Sequence, residues 1–204
     1  MKNEINRIAD RLVKAYNTNT VINPIPVKYC KNIKLANKLR KLCEDQIKDE
    51  TIGIKAGGTG IQALKKLKEK EPFTAKVFKK RLVKSGQKVK INQHTKGIEV
   101  EVYYFIKKSF FDFKGKVTKS NISKFIKFMG PCFEIVGFRQ RNKKFTYLGD
   151  ICGDFGFNIK FVVGRKTKFK KLNLNNLKTS LVSKKNGVKA VSYTHLTLPT
   201  KRIV

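Results

Sequence analysis

The chain is short of acids, arginine and histidine, and each shortage narrows what it can be. Across 204 residues there are 14 Asp+Glu against 47 Lys+Arg, so any carboxylate set among apolar residues stands out. Arginine supplies 8 of the basic residues and lysine 39. Phosphate and base readers lean on arginine, whose planar fork makes bidentate contacts. Here lysine runs from Lys2 to Lys201 with no arginine-rich block. The formal net charge of +33 therefore reads first as a solvated lysine surface, and the abundance of Lys, Asn and Ile fits an A/T-rich coding bias. A polyanion-binding face is the competing reading, because the sequence does not say whether the lysines share a side.

His94 and His195 are the only histidines, which leaves little for a histidine-based centre. Cys30, Cys43, Cys132 and Cys152 form no CxxC pair and have no partnered histidine, against a zinc-thiolate or redox-pair reading. No apolar run approaches the roughly 20 residues of a membrane helix. Met1-Lys2-Asn3-Glu4 lacks the apolar stretch of a secretory signal, and none is expected. A cytoplasmic protein with reduced, mostly buried thiols is expected, with no membrane partner.

What is present begins with helical periodicity. Ile5, Ile8, Ala9, Leu12, Val13 and Tyr16 predict a helix over about 3–17, and Leu35, Ala36, Leu39, Leu42 and Cys43 a second over about 33–48. Thr51–Lys55 reads as a short strand entering the glycine loop Gly57-Gly58-Thr59-Gly60, followed by a short helix through Ile61, Leu64 and Leu67. From Lys88 the texture turns to β. Val89–Asn92, Gly97–Lys107, Cys132–Gly137 and Asn158–Val163 predict strands. Ser120 predicts the cap of a helix carrying Ile122, Phe125, Ile126 and Met129. Asn186-Gly187 predicts a hairpin turn between Thr179–Ser183 and Val188–Val191. Ser192–Val204 resembles a translated sequencing-adaptor tail and is expected to lie outside the fold.

Five of the scarce acids fall between residues 99 and 154 in apolar or glycine-rich settings. Glu99 and Glu101 stand two apart in the run Gly97–Ile106, so on a strand both project from one face. Either that face is solvated and its glutamates pair with lysine, or the adjacent carboxylates hold a cation that relieves their repulsion. Glu134 lies within Pro131–Gly137, where an acid is costly unless paired or ligated. Oxygen donors alone suit a hard ion such as Mg²⁺ or Mn²⁺. Asp150 and Asp154 complete the set. Lys55 ends a strand beside the glycines, and the phosphate-cradling GxxxxGK[ST] pattern is missing.

The order of these pieces resembles a known family. It comprises an N-terminal helical segment, Gly53-Ile54-Lys55-Ala56-Gly57-Gly58, Pro72-Phe73 leading to Val77-Phe78, and Gly97-Ile98-Glu99-Val100-Glu101-Val102. Pro131–Arg139, Asp150 spaced by four from Asp154, and Phe161–Gly164 follow. From about Ile5 to Ala190 this is similar to the 2-keto-4-pentenoate hydratase group, which includes 4-oxalocrotonate decarboxylases, within the fumarylacetoacetate hydrolase superfamily. The resemblance implies an α+β fold, with N-terminal helices packed on a mixed coiled β-roll.

It assigns residues 1–50 to the helical segment, 51–190 to a C-terminally truncated catalytic roll, and 192–204 to a non-native tail. Glu99, Glu101 and Glu134 would be the metal ligands. Lys55 and Glu134 would be catalytic, and Lys55, Gly57, Asp150 and Asp154 would bind substrate. The implied substrate is a small 2-oxo acid and the implied assembly, for a full-length chain, a homo-oligomer. Hydratases of the group commonly carry an acid after the proline equivalent to Pro72; Phe73 and Thr74 stand there instead. Hydration, decarboxylation and tautomerisation stay open, as do a member that lost catalysis and a nucleic-acid or other polyanion binder.

Overall fold

The computed structural model describes residues 3–90, 94–171, 177–182 and 189–194. Helix α1 (Glu4–Thr18) starts where the Asn3 side chain accepts from the Ile5 and Asn6 amides, and ends at Asn19 in the left-handed region. After a single turn, α2 (Lys28–Lys31), helix α3 (Ile33–Asp45) is capped in the same way by Asn32. The apolar stripe of α1, from Ile5 through Leu12 to Tyr16, packs on Leu39 and Cys43 of α3, and Phe78 and Phe155 join that core. Each fully buried leucine there contributes roughly 1.5–3 kcal/mol.

Strand β1 (Thr51–Gly57), helix α4 (Ile61–Lys66) and strand β2 (Phe73–Phe78) follow, with β1 and β2 paired antiparallel. Next come β3 (Leu82–Lys84), the long β4 (Thr95–Ile106) and β5 (Ile126–Gly137), helix α5 (Leu148–Cys152), β6 (Asn158–Val163) and β7 (Thr167–Lys168). They form one mixed sheet in the order β3-β6-β5-β4, with β7 on β5. The β3–β6 pair is parallel and the others antiparallel. A separate antiparallel pair joins β8 (Leu177–Val182) to β9 (Lys189–Thr194).

This is the expected mixture of helices and mixed sheets, with differences. The predicted helix after Ser120 is one 3₁₀ turn, Ile122–Phe125, and then strand. Ile126 and Phe128 pair with Ile106 and Phe105 of β4, and the Phe125 carbonyl accepts from the Lys107 amide. Cross-strand pairing of β-branched and aromatic residues outweighs the helical spacing. Val89 and Lys90 join no strand, while Ile91 and Asn92 lie outside the described residues. Asn186-Gly187, His195 and residues 195–204 also lie outside them, whereas Ser192–Thr194 belong to β9. No helix among the described residues is long and apolar enough to cross a membrane. All four cysteines are buried and free.

A candidate metal centre on the central strands

The register of β4 against β5 builds the site. Glu99 lies directly opposite Glu134, and Glu101 opposite Cys132. Side chains two apart on a strand and directly across a pair share a face, so three carboxylates converge. One oxygen from each of Glu99, Glu101 and Glu134 lies within 4.8 Å of the others. Glu134 is 2% exposed, and its register partner on the other side is Phe161 of β6. Tyr103 continues the face and donates to the Gly164 carbonyl at 3.2 Å.

Lys55 arrives from β1. That strand carries an inverted pattern: Ile54 is 71% exposed while Lys55 points inward with 11% of its side chain exposed. The Lys55 ammonium donates to both oxygens of Glu134, at 2.7 and 2.8 Å, and to the Gly156 carbonyl at 3.1 Å. Gly156 sits in a turn where Phe155, Gly156 and Phe157 all have positive φ (53°, 67° and 72°). The two aromatic residues are strained there. Phe155 is fixed by stacking on Tyr16 at 4.4 Å, and Phe157 lies 4.6 Å from Phe138.

The electrostatics follow from burial and crowding. Loss of solvent pushes Glu134 up to about 7; Glu99 adds to the rise and Lys55 opposes it. Burial likewise raises Glu101 to about 7, with Glu134 and Glu99 contributing. Glu99 is raised by burial against the pull of Lys55. Among the described residues Lys55 is the one cation bonded to the cluster. Three clustered carboxylates with one ammonium are short of positive charge, and their all-oxygen donor set fits a hard divalent ion.

Lys55, Glu99, Glu101 and Glu134 are thus brought together, and Gly57, Asp150 and Asp154 are placed elsewhere. Gly57 is covered by the Phe73 ring, which a methyl at that position would overlap. It seats an aromatic ring. Asp150 is fully buried, accepts from the Thr146 and Tyr147 amides and pairs with Lys143 at 2.6 Å. Asp154 is also fully buried; it accepts from the Arg139 amide at 2.7 Å and its guanidinium at 3.1 Å, and from Gln140 at 3.2 Å. Both aspartates are engaged by cations, Asp150 by the partly buried Lys143 and Asp154 by the buried Arg139, and substrate binding by these three stays an expectation. They brace the segments on either side of α5. Sequence reading missed the Gly156 carbonyl, because a backbone acceptor leaves no trace in side-chain chemistry. It also missed Arg139, although an arginine directly after the apolar run Ile135–Phe138 was a visible cue.

No protein-family model and no curated protein matches the sequence. The fold is shared with solved structures. 4-Oxalocrotonate decarboxylase from Pseudomonas putida G7, complexed with calcium and acetate, superposes with a TM-score of 0.71 at 14% identity, covering 93% of this chain and 73% of that one. The same enzyme complexed with magnesium and adipate gives 0.68, at the same identity and coverage. It belongs to the group that the motif order resembles, so motif order and fold agree.

Proposed function

We propose that the chain is a divalent-metal-dependent lyase acting on 2-oxo or 2-hydroxy-dienoic acids such as 2-hydroxypenta-2,4-dienoate. The observation that carries the reading is the convergence of Glu99, Glu101 and Glu134 beside the inward-turned Lys55. The three glutamates would hold the ion. When bound, a hard divalent ion supplies Lewis acidity toward the carboxylate and keto oxygens of a 2-oxo acid. Mg²⁺ is the expected ion and Mn²⁺ the alternative; the calcium and magnesium in the fold neighbours support a hard ion of this kind.

Lys55 supplies the positive charge. Loss of CO₂ or of an α-proton leaves an electron pair that the substrate's keto oxygen carries, and an ammonium donating to that oxygen stabilises it. The same ammonium can return a proton to carbon. Glu134 orients Lys55 through both oxygens, and burial of the pair keeps bulk water from it. Phe73 favours decarboxylation over hydration: where hydratases of the resembling group commonly carry an acid, this chain buries a ring at 3% exposure. Closure of the sheets into a coiled roll, a homo-oligomer and a cytoplasmic setting belong to the same reading.

The test is Mg²⁺-dependent turnover of 4-oxalocrotonate and 2-hydroxypenta-2,4-dienoate, with Mg²⁺ binding followed by calorimetry. Glu99→Ala and Glu134→Ala are expected to lose at least about a hundredfold in turnover. Wild-type protein that binds no divalent ion sinks the proposal. Ion binding without turnover of any 2-oxo acid would instead identify a member that kept the site and lost the chemistry.

A further inference from the structure

Lys55 and a ligated ion draw on the same carboxylate. We propose that Lys55 is an internal antagonist of ion binding, so that ligation at Glu134 and release of the Lys55 ammonium are a single coupled event. The proposal rests on the metal-centre reading above and adds a sign to the role of Lys55 within it.

An ammonium has three donors. In Lys55 all three are engaged, two on the Glu134 oxygens and one on the Gly156 carbonyl. A substrate oxyanion therefore finds no free donor until Glu134 or the Gly156 carbonyl gives one up. An ion ligated by Glu134 takes a lone pair on at least one of those oxygens and competes there with the N–H that Lys55 donates.

Lys55 has little room to retreat. Its aliphatic stem lies beside Gly156, where a Cβ would stand 3.6 Å from the Lys55 Cδ and 2.6 Å from the Ala75 Cβ. The Gly156 turn is itself held by Phe155 and Phe157. The ammonium thus stays beside the cluster when an ion enters, and two cations a few ångströms apart repel. Coupling of this kind is reciprocal: whatever the ion takes from the Lys55–Glu134 pair, the pair takes from ion affinity.

A lysine that merely held Glu134 in a ligating posture would give the opposite sign, since its removal would loosen the ion. The experiment is calorimetric titration of Mg²⁺, and separately of Ca²⁺, into wild type, Lys55→Met, Lys55→Gln and Lys55→Arg at about pH 8, with melting curves beside each titration. The neutral Met and Gln variants are expected to bind each ion at least about tenfold more tightly than wild type, and the Arg variant within about threefold of it. The ion is expected to raise the melting temperature of the neutral variants more than that of wild type.

Neutral variants that fold and bind no tighter overturn the antagonism while leaving the metal centre standing. A neutral variant that fails to fold even with ion present also counts against it, because that makes Lys55 a structural element. A wild type that binds neither ion removes the metal centre, and the antagonism with it.

Discussion

Glu101 and Glu134 are each raised to about 7, first by burial and then by neighbouring carboxylates. An unfolded glutamate titrates near 4.3, so between that value and about 7 the native state holds more protons than the unfolded one. By linkage, stability falls as pH rises through this window. The cluster titrates as a unit, and its total penalty is on the order of a few kcal/mol. In chelator, the urea midpoint is expected to decline from about pH 5 to about pH 8, and Glu101→Gln to flatten the decline. His94 works in the opposite sense. Burial lowers its pKa, so its contribution is lost as pH falls below about 6.5, and the Glu101→Gln comparison separates the two. A midpoint that climbs steadily to about pH 8 in both proteins would mean that the carboxylates are not strained by their burial. The second residue-scale prediction concerns Arg139, which lies 5% exposed on Asp154, the Asn158 carbonyl and the Tyr16 ring. Asp154→Ala leaves that guanidinium buried without its counter-charge and is expected to cost about 3–5 kcal/mol in urea denaturation. A loss under about 1 kcal/mol would show that Asp154 is dispensable as a counter-ion.

At the scale of elements, the site depends on one antiparallel register. The Glu99-x-Glu101 spacing already placed two carboxylates on one face, because strand periodicity is local. Glu134 was visible as an acid among apolar residues, but its position opposite Glu99 comes from pairing at a distance, which no local pattern states. Motif resemblance supplied that link. Where local patterns compete, the sequence misled: Ile122, Phe125, Ile126 and Met129 fit a helix, yet β4 recruits Ile126–Gly137 as a strand. β1 was legible as a strand, but not its orientation, since Thr51–Gly57 turns Ile52 and Ile54 outward and Lys55 inward. Such breaches of hydrophobic patterning concentrate at functional sites. The register has a physical anchor at Gly137, opposite the irregularity between Thr95 and Gly97. A methyl at Gly137 would overlap the backbone carbonyl of His94, and a backbone atom cannot swing aside. Gly137→Ala is expected to cost about 2 kcal/mol or more and to weaken Mg²⁺ binding although it touches no carboxylate. A substitution that leaves both the urea midpoint and the calorimetric affinity unchanged would free the register from this contact.

At the scale of the whole molecule, 47 basic residues against 14 acidic ones set a repulsive background that no local contact removes. The exposed ion pairs, such as Lys28 with Glu4, Lys41 with Asp45 and Lys79 with Glu50, contribute little and are screened by salt. Screening also weakens the far more numerous lysine–lysine repulsions, and at a net charge of +33 the second effect is the larger. Raising NaCl from about 50 to about 500 mM in chelator is therefore expected to increase the melting temperature by several degrees. A fall would mean that the few ion pairs outweigh the summed repulsion. The same titration bears on the polyanion alternative. Lysines dispersed over the surface give weak, salt-sensitive binding of an oligonucleotide, whereas a dedicated face gives tight binding with a steep logarithmic salt slope. Three of the 14 acids, by contrast, crowd one sheet face beside Lys55. That convergence gives the carboxylates a local role, whereas the lysines, running from Lys2 to Lys201 with no arginine-rich block, read as a solvated surface. Anisotropy of a labelled oligonucleotide is therefore expected to show binding at low salt that vanishes by about 150 mM, with no competition from Mg²⁺ beyond its ionic strength.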